Sequence, residues 1–251
     1  MSFAVAAAAY DRFMGRYSSP LAPVFADFAR VSGAQQVLDV GSGPGALTAE
    51  LVGRVGASAV SAVDPSESFV DAMRERYPDV STRHAAAEEL PFPDGAFDAA
   101  LAQLVVHFMR EPVAGLREMA RVTREGGVVA ASVWDHGGGH GPLSPYWEVV
   151  QELDPGVHGE SELAGAREGH LTELFEEAGL HDIEEVALTV SVEHPTFEDW
   201  WEPYTLGVGP AGSYVVGLDE ERRERLRARC EERLHAPFVV EARAWAARAR
   251  A

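Results

Sequence analysis

A short apolar run that ends in alternating glycines constrains the fold of this chain more than any other feature. Residues 36–40 (QVLDV) have the composition of a buried strand, and the next five residues are GSGPG (41–45). A stretch typical of a helix begins at residue 47. Glycines at such a turn let the backbone reverse sharply and let a ligand approach the main chain. Because open α/β sheets bind ligands where a strand ends and a helix begins, we expect a binding site here.

The same alternation of strand and helix patterns continues as far as residue 134. Short apolar runs, each typical of a strand, are separated by stretches typical of helices. This βαβ order predicts an α/β fold with a mostly parallel sheet and helices on both of its faces. The predicted strands are 36–40, 59–63, 80–84, 97–104 and 127–134, and the predicted helices are 47–55, 66–77 and 111–122.

The second half of the chain is less regular. Its patterns predict helices at 171–178 and 219–234 and strands at 186–192 and 238–245, followed by a tail of Arg and Ala. We interpret 135–170 and 196–234 as helical insertions that cap the sheet, and 1–35 as an N-terminal helical lid. The whole chain, 1–251, is expected to form a single domain.

Charge and composition exclude several classes of protein. The 251 residues carry 40 acidic and 21 basic side chains, a formal net charge of −19. Such a surface repels phosphate backbones and anionic lipids, so we expect neither a nucleic-acid nor a membrane partner. Every basic residue is Arg. A chain without Lys has no Schiff base, no pyridoxal phosphate anchor and no Walker lysine.

The amino acids that are absent or rare indicate the type of genome and the cellular compartment of the protein. Lys and Asn are absent and Ile183 is the single Ile, which is typical of a GC-rich and therefore bacterial genome. Cys230 is the only cysteine, so we expect no internal disulfide and no thiolate metal cluster, and we predict no metal site. No apolar run reaches 18 residues. We therefore expect a cytoplasmic protein that is a monomer or a homodimer.

Two acidic residues beside the glycine turn restrict the ligand. Asp39 precedes Gly41 within the first strand, where a carboxylate suits an ammonium group. Asp64 ends the second strand, 23 residues after Gly41, where it can accept hydrogen bonds from both ribose hydroxyls. A nucleoside with a cationic tail fits both acids. The pattern Gly41-x-Gly43-x-x-Ala46 also satisfies the relaxed dinucleotide fingerprint, so an NAD(P)-dependent oxidoreductase is the alternative.

Four stretches of the first half must be considered together: VLDVGSGPGALT (37–48), AVDPSESFVDAMRE (62–75), AAAEELPFPDGAFDAALAQ (85–103) and LREMARVTREGGVVAASVWD (116–135). In combination they resemble the class I S-adenosylmethionine-dependent methyltransferases. The likeness is greatest to the group of ubiquinone/menaquinone C-methyltransferases and small-molecule enzymes. The resemblance implies a Rossmann-like sheet of seven strands whose last strand is antiparallel, and S-adenosylmethionine as the cofactor. No dehydrogenase chemistry needs the segment LPFPDGAFD (90–98).

The resemblance also implies roles for individual residues. An acid is common where this chain has Ala86, so the adenine amino group must be met by Glu88 or by the backbone. The N-terminal segment often folds over the donor in this group, which implicates Tyr10, and Arg16 as a partner of the methionine carboxylate. The remaining implied contacts are Asp39, Gly41 and Gly43 with the methionine end, Asp64 with the ribose, Pro65 and the backbone of Ala87 and Glu88 with the adenine, and Gln103 with the sulfonium region.

The methyl acceptor is expected to be a small molecule, methylated at oxygen, nitrogen or carbon by in-line displacement without a metal. His107 follows the fourth predicted strand and is a candidate general base. Trp134 is expected to form the floor of the acceptor pocket, and Trp147, Trp201 and Tyr204 in the two insertions to line it. The alternatives are that these rings only join the cap to the sheet, and that the protein binds S-adenosylmethionine without catalysis.

Overall fold

A seven-stranded sheet forms the centre of the computed structural model, which describes residues 7–157 and 159–251. The strand order is β3-β2-β1-β4-β5-β7-β6, and β7 pairs antiparallel with both of its neighbours while the other pairs, from β3 to β5, are parallel. The predicted mostly parallel sheet with an antiparallel last strand is confirmed. The strands are β1 (Val37–Val40), β2 (Val60–Asp64), β3 (Ser81–His84), β4 (Phe97–Gln103), β5 (Thr123–Trp134), β6 (His181–His194) and β7 (Phe238–Arg250).

Helices cover both faces of this sheet. A π-helical turn at Asp11–Gly15 joins the first two α-helices of the described chain. Turns of 3-10 helix lie at Ala57–Ala59, Val106–Phe108 and Glu202–Leu206. None of the helices in the described ranges is long and apolar enough to cross a membrane. The α-helices are α1 (Ala7–Tyr10), α2 (Arg16–Phe28), α3 (Ala46–Val55), α4 (Glu67–Arg76), α5 (Pro112–Val122), α6 (Ser144–Leu153), α7 (His170–Glu177), α8 (Phe197–Trp201), α9 (Gly209–Gly217) and α10 (Glu220–Arg233).

The alternation of side chains along β1 explains why both faces are covered. Successive residues of a strand point to opposite faces. Val37 belongs to the core that contains α2, α3 and α6, whereas Leu38 and Val40 belong to the core that contains α5 and α7. Every residue of β1 is buried, as is typical of a central parallel strand. The carboxyl end of β1, with the glycine turn, therefore opens at the edge of the sheet between two layers of helices.

The N-terminal segment is built into the core. Phe13, Tyr17, Leu21 and Phe25 are buried, and α2 lies against α3 and β6. The ring of Phe13 packs edge-on to Tyr204, with centroids 4.9 Å apart. The segment predicted as a lid thus packs its apolar face against the hydrophobic core. Its residues 1–6 lie outside the described ranges.

The strands near the end of the chain are longer than the sequence patterns predict. The Arg/Ala tail after Trp245 continues β7 to Arg250, paired with β5 and β6. Its alanines at 246, 247 and 249 are buried. Larger apolar residues at these positions would have given a stronger strand pattern in the sequence. The sequence pattern missed this part of β7 because alanine has a low strand propensity, which the pairing with β5 and β6 on both edges overrides.

Candidate functional site

The glycine turn takes a backbone shape that requires glycine. Gly41, Gly43 and Gly45 all have positive φ values, of 70°, 53° and 101°. A Cβ at Gly41 would lie 2.5 Å from Cγ1 of Val105, closer than two carbon atoms can approach. The amides of Gly41 and Ser42 donate to the carbonyl of Val63, at 2.8 and 3.0 Å, which ties the turn to β2.

Asp64 joins the end of β2 to this turn. Its Oδ2 accepts from the amide of Gly43 and its Oδ1 from the amide of Ser66, both at 2.8 Å. Burial raises the pKa of this carboxyl, although both amide hydrogen bonds oppose that effect. Each oxygen keeps a further lone pair, so the carboxylate is fixed in place and can still accept hydrogen bonds from a ligand.

Asp39 is the most deeply buried acid of the site, with 1% of its surface exposed. Thr48 Oγ1 donates to its Oδ2 at 2.6 Å. Burial raises the pKa of Asp39 to about 7, and the negative charge of Asp64 acts in the same direction. A cation bound beside these two carboxyls would reverse that shift, because opposite charges favour the ionised form.

A cavity lies over the glycine turn, and we call it the glycine-loop cavity. Both carboxyls line it, and among the residues that the structure describes no basic side chain does. Tyr10 lines it from α1 and packs edge-on to Phe69 at 5.6 Å. The lining residues are Tyr10, Ser18, Asp39, Gly41, Ser42, Gly43, Pro44, Ala46, Leu47, Asp64, Pro65, Phe69, Gln103, Leu104, Val105 and Phe108.

Three buried polar atoms of this lining have no hydrogen-bond partner within 7–157 and 159–251: Ser18 Oγ, Ser42 Oγ and Gln103 Oε1. Gln103 Nε2 donates to the carbonyl of Ser18 at 3.0 Å, which holds the amide oxygen in a fixed direction. Buried polar atoms are nearly always paired, so these three indicate a ligand with both donors and acceptors. Sequence reasoning missed Ser18 and Ser42, since serine in a helix or a turn carries no signal of its own.

Several predicted contacts lie outside the glycine-loop cavity. Arg16 Nη1 pairs with Asp199 Oδ2 at 2.9 Å instead of pointing to a ligand. Neither Ala87 nor Glu88 lines the cavity. Glu88 Oε1 accepts from the amides of Arg110 and Glu111, at 2.8 and 3.1 Å. Glu88 Oε1 is thus engaged by the two amides that precede α5, and the contact of Glu88 or of its backbone with the adenine stays a prediction.

A second cavity lies beneath the insertions, and we call it the cap cavity. Tyr10, Leu104 and Phe108 line both cavities and form the wall between them. Trp134 and His107 both line the cap cavity, and the role of Trp134 as the floor of an acceptor pocket stays a prediction. The other lining residues are Phe13, Met14, His136, Leu143, Glu160, Val208, Gly209, Pro210 and Ala211.

His107 is buried, and its Nδ1 has no partner in the part of the chain that the structure describes. Burial lowers the pKa of this imidazole well below 6.5, and the nearby His136 acts in the same direction. Burial likewise lowers the pKa of His136. Both rings are therefore neutral at pH 7 and carry a lone pair that can accept a proton or a hydrogen bond.

Three of the predicted pocket residues do not line the cap cavity. Trp147 faces a neighbouring cleft, and its Nε1 donates to Glu160 Oε2 at 3.1 Å. Trp201 and Tyr204 lie in an aromatic cluster in which Tyr204 stacks on Tyr146 at 4.5 Å. These rings therefore pack within the cap and, through Tyr204, against Phe13 of the N-terminal segment, whereas the alternative considered above was that they join the cap to the sheet.

Comparison with known proteins places residues 38–131 in a family described as a methyltransferase domain. An uncharacterised methyltransferase of Mycobacterium tuberculosis is 38% identical over 135 residues, which cover 54% of this chain and 52% of that protein. A demethylmenaquinone methyltransferase of Beutenbergia cavernae is 40% identical over 93 residues, 37% of this chain and 38% of that protein. The matches thus span about half the length, or less, of these curated relatives.

Solved structures share the fold over nearly the whole chain. The YcgJ protein of Bacillus subtilis superposes with a TM-score of 0.59 at 17% identity, covering 93% of this chain and 97% of that one. An S-adenosylmethionine-dependent methyltransferase of Thermotoga maritima superposes with a TM-score of 0.53 at 18% identity, covering 97% and 98%. Residues 38–131 therefore form a methyltransferase domain, and the strand order and these superpositions give it the fold of the class I S-adenosylmethionine-dependent methyltransferases, which implies S-adenosylmethionine as the cofactor.

Proposed function

We propose that the protein transfers the methyl group of S-adenosylmethionine to a small-molecule acceptor. The observation that carries this proposal is the common wall of the two cavities, formed by Tyr10, Leu104 and Phe108. A donor in the glycine-loop cavity and an acceptor in the cap cavity would meet at that wall. The net charge of −19 supports a small metabolite over a nucleic acid as acceptor.

The glycine-loop cavity fits the donor chemically. Asp39 and the oxygen of Gln103 offer acceptors for the ammonium group, and the hydroxyl of Ser18 offers a donor for the carboxylate. Asp64 is fixed by two amides and retains lone pairs for the ribose hydroxyls. A dianionic pyrophosphate would meet two carboxylates and no lining arginine among the described residues, which disfavours the oxidoreductase alternative.

The residues of this chain would act mainly by alignment. When bound, the cofactor supplies a methyl group already activated by its sulfonium. The wall residues exclude water and fix the line of approach, which lowers the entropic part of the barrier. His107, neutral and lining the cap cavity, can accept a proton where the acceptor must lose one.

Calorimetry with S-adenosylhomocysteine and NAD tests this proposal. We expect micromolar binding of the first and far weaker binding of the second. Asp64→Ala removes two charge-assisted hydrogen bonds worth about 1.5–3 kcal/mol each, so affinity should fall at least tenfold. Asp71→Ala, at an exposed acid of α4 paired with Arg74, is the matched control and should bind normally. Unchanged affinity in Asp64→Ala would contradict the ribose assignment, and comparable NAD binding would contradict the function.

A further inference from the structure

Within the described ranges, Glu160 is the one acidic side chain that lines the cap cavity, and no arginine lines it. We propose that the acceptor is an apolar amine that binds as a cation, with its ammonium group held by Glu160 and its proton passed to His107. This inference rests on the proposed methyl transfer and adds the class of substrate and the atom methylated.

Glu160 is unusual in its surroundings. Only 6% of its surface is exposed, and it forms no ion pair with any described arginine or histidine. The indole of Trp147 donates to Oε2 at 3.1 Å, which fixes the carboxylate but supplies no charge. Buried charges in proteins are normally paired, so a buried carboxylate held by one neutral donor indicates a cationic ligand.

The neighbours of Glu160 do not compensate its charge. His107 and His136 line the same cavity and are both neutral, because burial lowers their pKa. The cavity therefore carries a negative charge and two neutral rings that accept hydrogen bonds. An acceptor that reacts as a phenolate or a carboxylate would be repelled, whereas an ammonium group would be attracted.

The rest of the cap cavity is apolar and defines the body of the substrate. Phe13 and Met14 line it from the N-terminal segment, Leu143 from the start of α6, and Val208 and Pro210 from the start of α9. This lining matches an aliphatic or aromatic skeleton that carries its polar group at one end.

The reaction balances without another reactant. The ammonium group gives one N–H proton to the lone pair of His107. The freed nitrogen lone pair then forms the bond to the methyl carbon, the carbon–sulfur bond breaks, and its electron pair stays on sulfur. The product is an N-methylated ammonium ion, and His107 returns its proton to water.

Two sets of matched compounds test the proposal by calorimetry, with the protein saturated by S-adenosylhomocysteine. The first set is 2-phenylethylamine, 2-phenylethanol and 3-phenylpropanoate. The second is tryptamine, tryptophol and indole-3-propionate. We expect the amine of at least one set to bind at least tenfold more tightly than its alcohol, and the carboxylate to bind more weakly still.

Substitution of Glu160 identifies the group responsible. Glu160→Gln keeps an oxygen for Trp147 and removes the charge, so the amine and alcohol should then bind within twofold of each other. Glu173→Gln, at an exposed acid of α7 paired with Arg167, is the control and should keep the preference for the amine. The wild-type ranking decides the question even if Glu160→Gln does not fold.

Different failures have different meanings. If S-adenosylhomocysteine does not bind, the proposed methyl transfer fails. If S-adenosylhomocysteine binds, either of two results overturns the amine proposal alone. One is an alcohol or carboxylate that binds as tightly as its amine in both sets, and the other is that none of the six compounds binds. A preference for the amine that persists in Glu160→Gln would also overturn it.

Discussion

Asp39→Asn is expected to stabilise the cofactor-free protein at neutral pH while weakening its binding of cofactor. The carboxyl is 1% exposed, and burial raises its pKa to about 7 despite the hydrogen bond from Thr48. An asparagine keeps an oxygen for the Thr48 hydroxyl and removes the charge that is costly to bury. The same charge is the one that would hold the ammonium group of the cofactor.

The size and the pH dependence of this effect follow from the pKa. A native pKa above that of the unfolded chain means that the folded state binds the proton more tightly. The contribution of this proton to the free energy of unfolding is fully present below pH 3.8, where both states are protonated. It is lost as the pH rises from 3.8 to about 7, because the unfolded chain ionises first. A pKa difference of about three corresponds to about 4 kcal/mol as an upper limit, at 1.36 kcal/mol for each pKa unit.

Urea unfolding of the cofactor-free protein at pH 5 and pH 8 measures the effect. Asp39→Asn should exceed the wild type in free energy of unfolding, and its advantage should grow by about 2–3 kcal/mol between the two pH values. Asp98→Asn is the control, and in this variant removal of the charge should lower the free energy of unfolding instead of raising it. Its carboxylate accepts from Arg124 Nε and the amide of Gln36, both at 2.6 Å, and the Arg124 bond lowers its pKa. An Asp39→Asn protein no more stable than the wild type at pH 8, or an equal advantage at both pH values, would refute the reasoning.

Two further predictions concern the cofactor and the cap. Because Asp39 must ionise to bind an ammonium group, the affinity for S-adenosylhomocysteine should rise about tenfold between pH 5.5 and 6.5 and level off above pH 7, and a flat calorimetric profile would contradict this. Tyr204→Ala should lower the free energy of unfolding by about 3–5 kcal/mol, because Tyr204 is buried against Phe13, Tyr146 and Trp200. A Tyr204→Ala protein of normal stability that fails only in turnover would make this ring a substrate contact.

The glycine-loop half of the site could be predicted from the sequence because its geometry is local. The glycine turn, Asp39 and Asp64 lie at the ends of neighbouring strands, and parallel strands bring their carboxyl ends to one edge of the sheet. Gln103 at the end of β4 follows by the same rule, since β4 pairs with β1. In each case the strand pattern determines the position of the side chain without knowledge of distant contacts.

The acceptor half could not be read in this way. Trp201 and Tyr204 were expected in the pocket, but the ring of Trp201 packs against that of Tyr204, which in turn stacks on Tyr146, more than 50 positions away in the chain. Arg16 was expected at the cofactor and instead pairs with Asp199. Glu160, in an irregular segment, has no periodic pattern around it. Where helices from separate insertions meet, the register of one against another depends on the whole packed core.

The contact of α2 with the cap has a consequence for the synthesis of the protein. Phe13, Arg16 and Tyr17 leave the ribosome early, but their partners Tyr204, Asp199 and His194 are about 180 residues later. At translation rates of roughly 5–20 residues per second, that delay is about 10–40 s. Throughout this interval the side of the first helices that faces Tyr204, Asp199 and His194 lacks these partners, and of the packing described above only that of α2 against α3 can form early. The time for which the nascent chain needs protection from aggregation is therefore set by the speed of elongation up to residue 204, and slow translation of that stretch would prolong it.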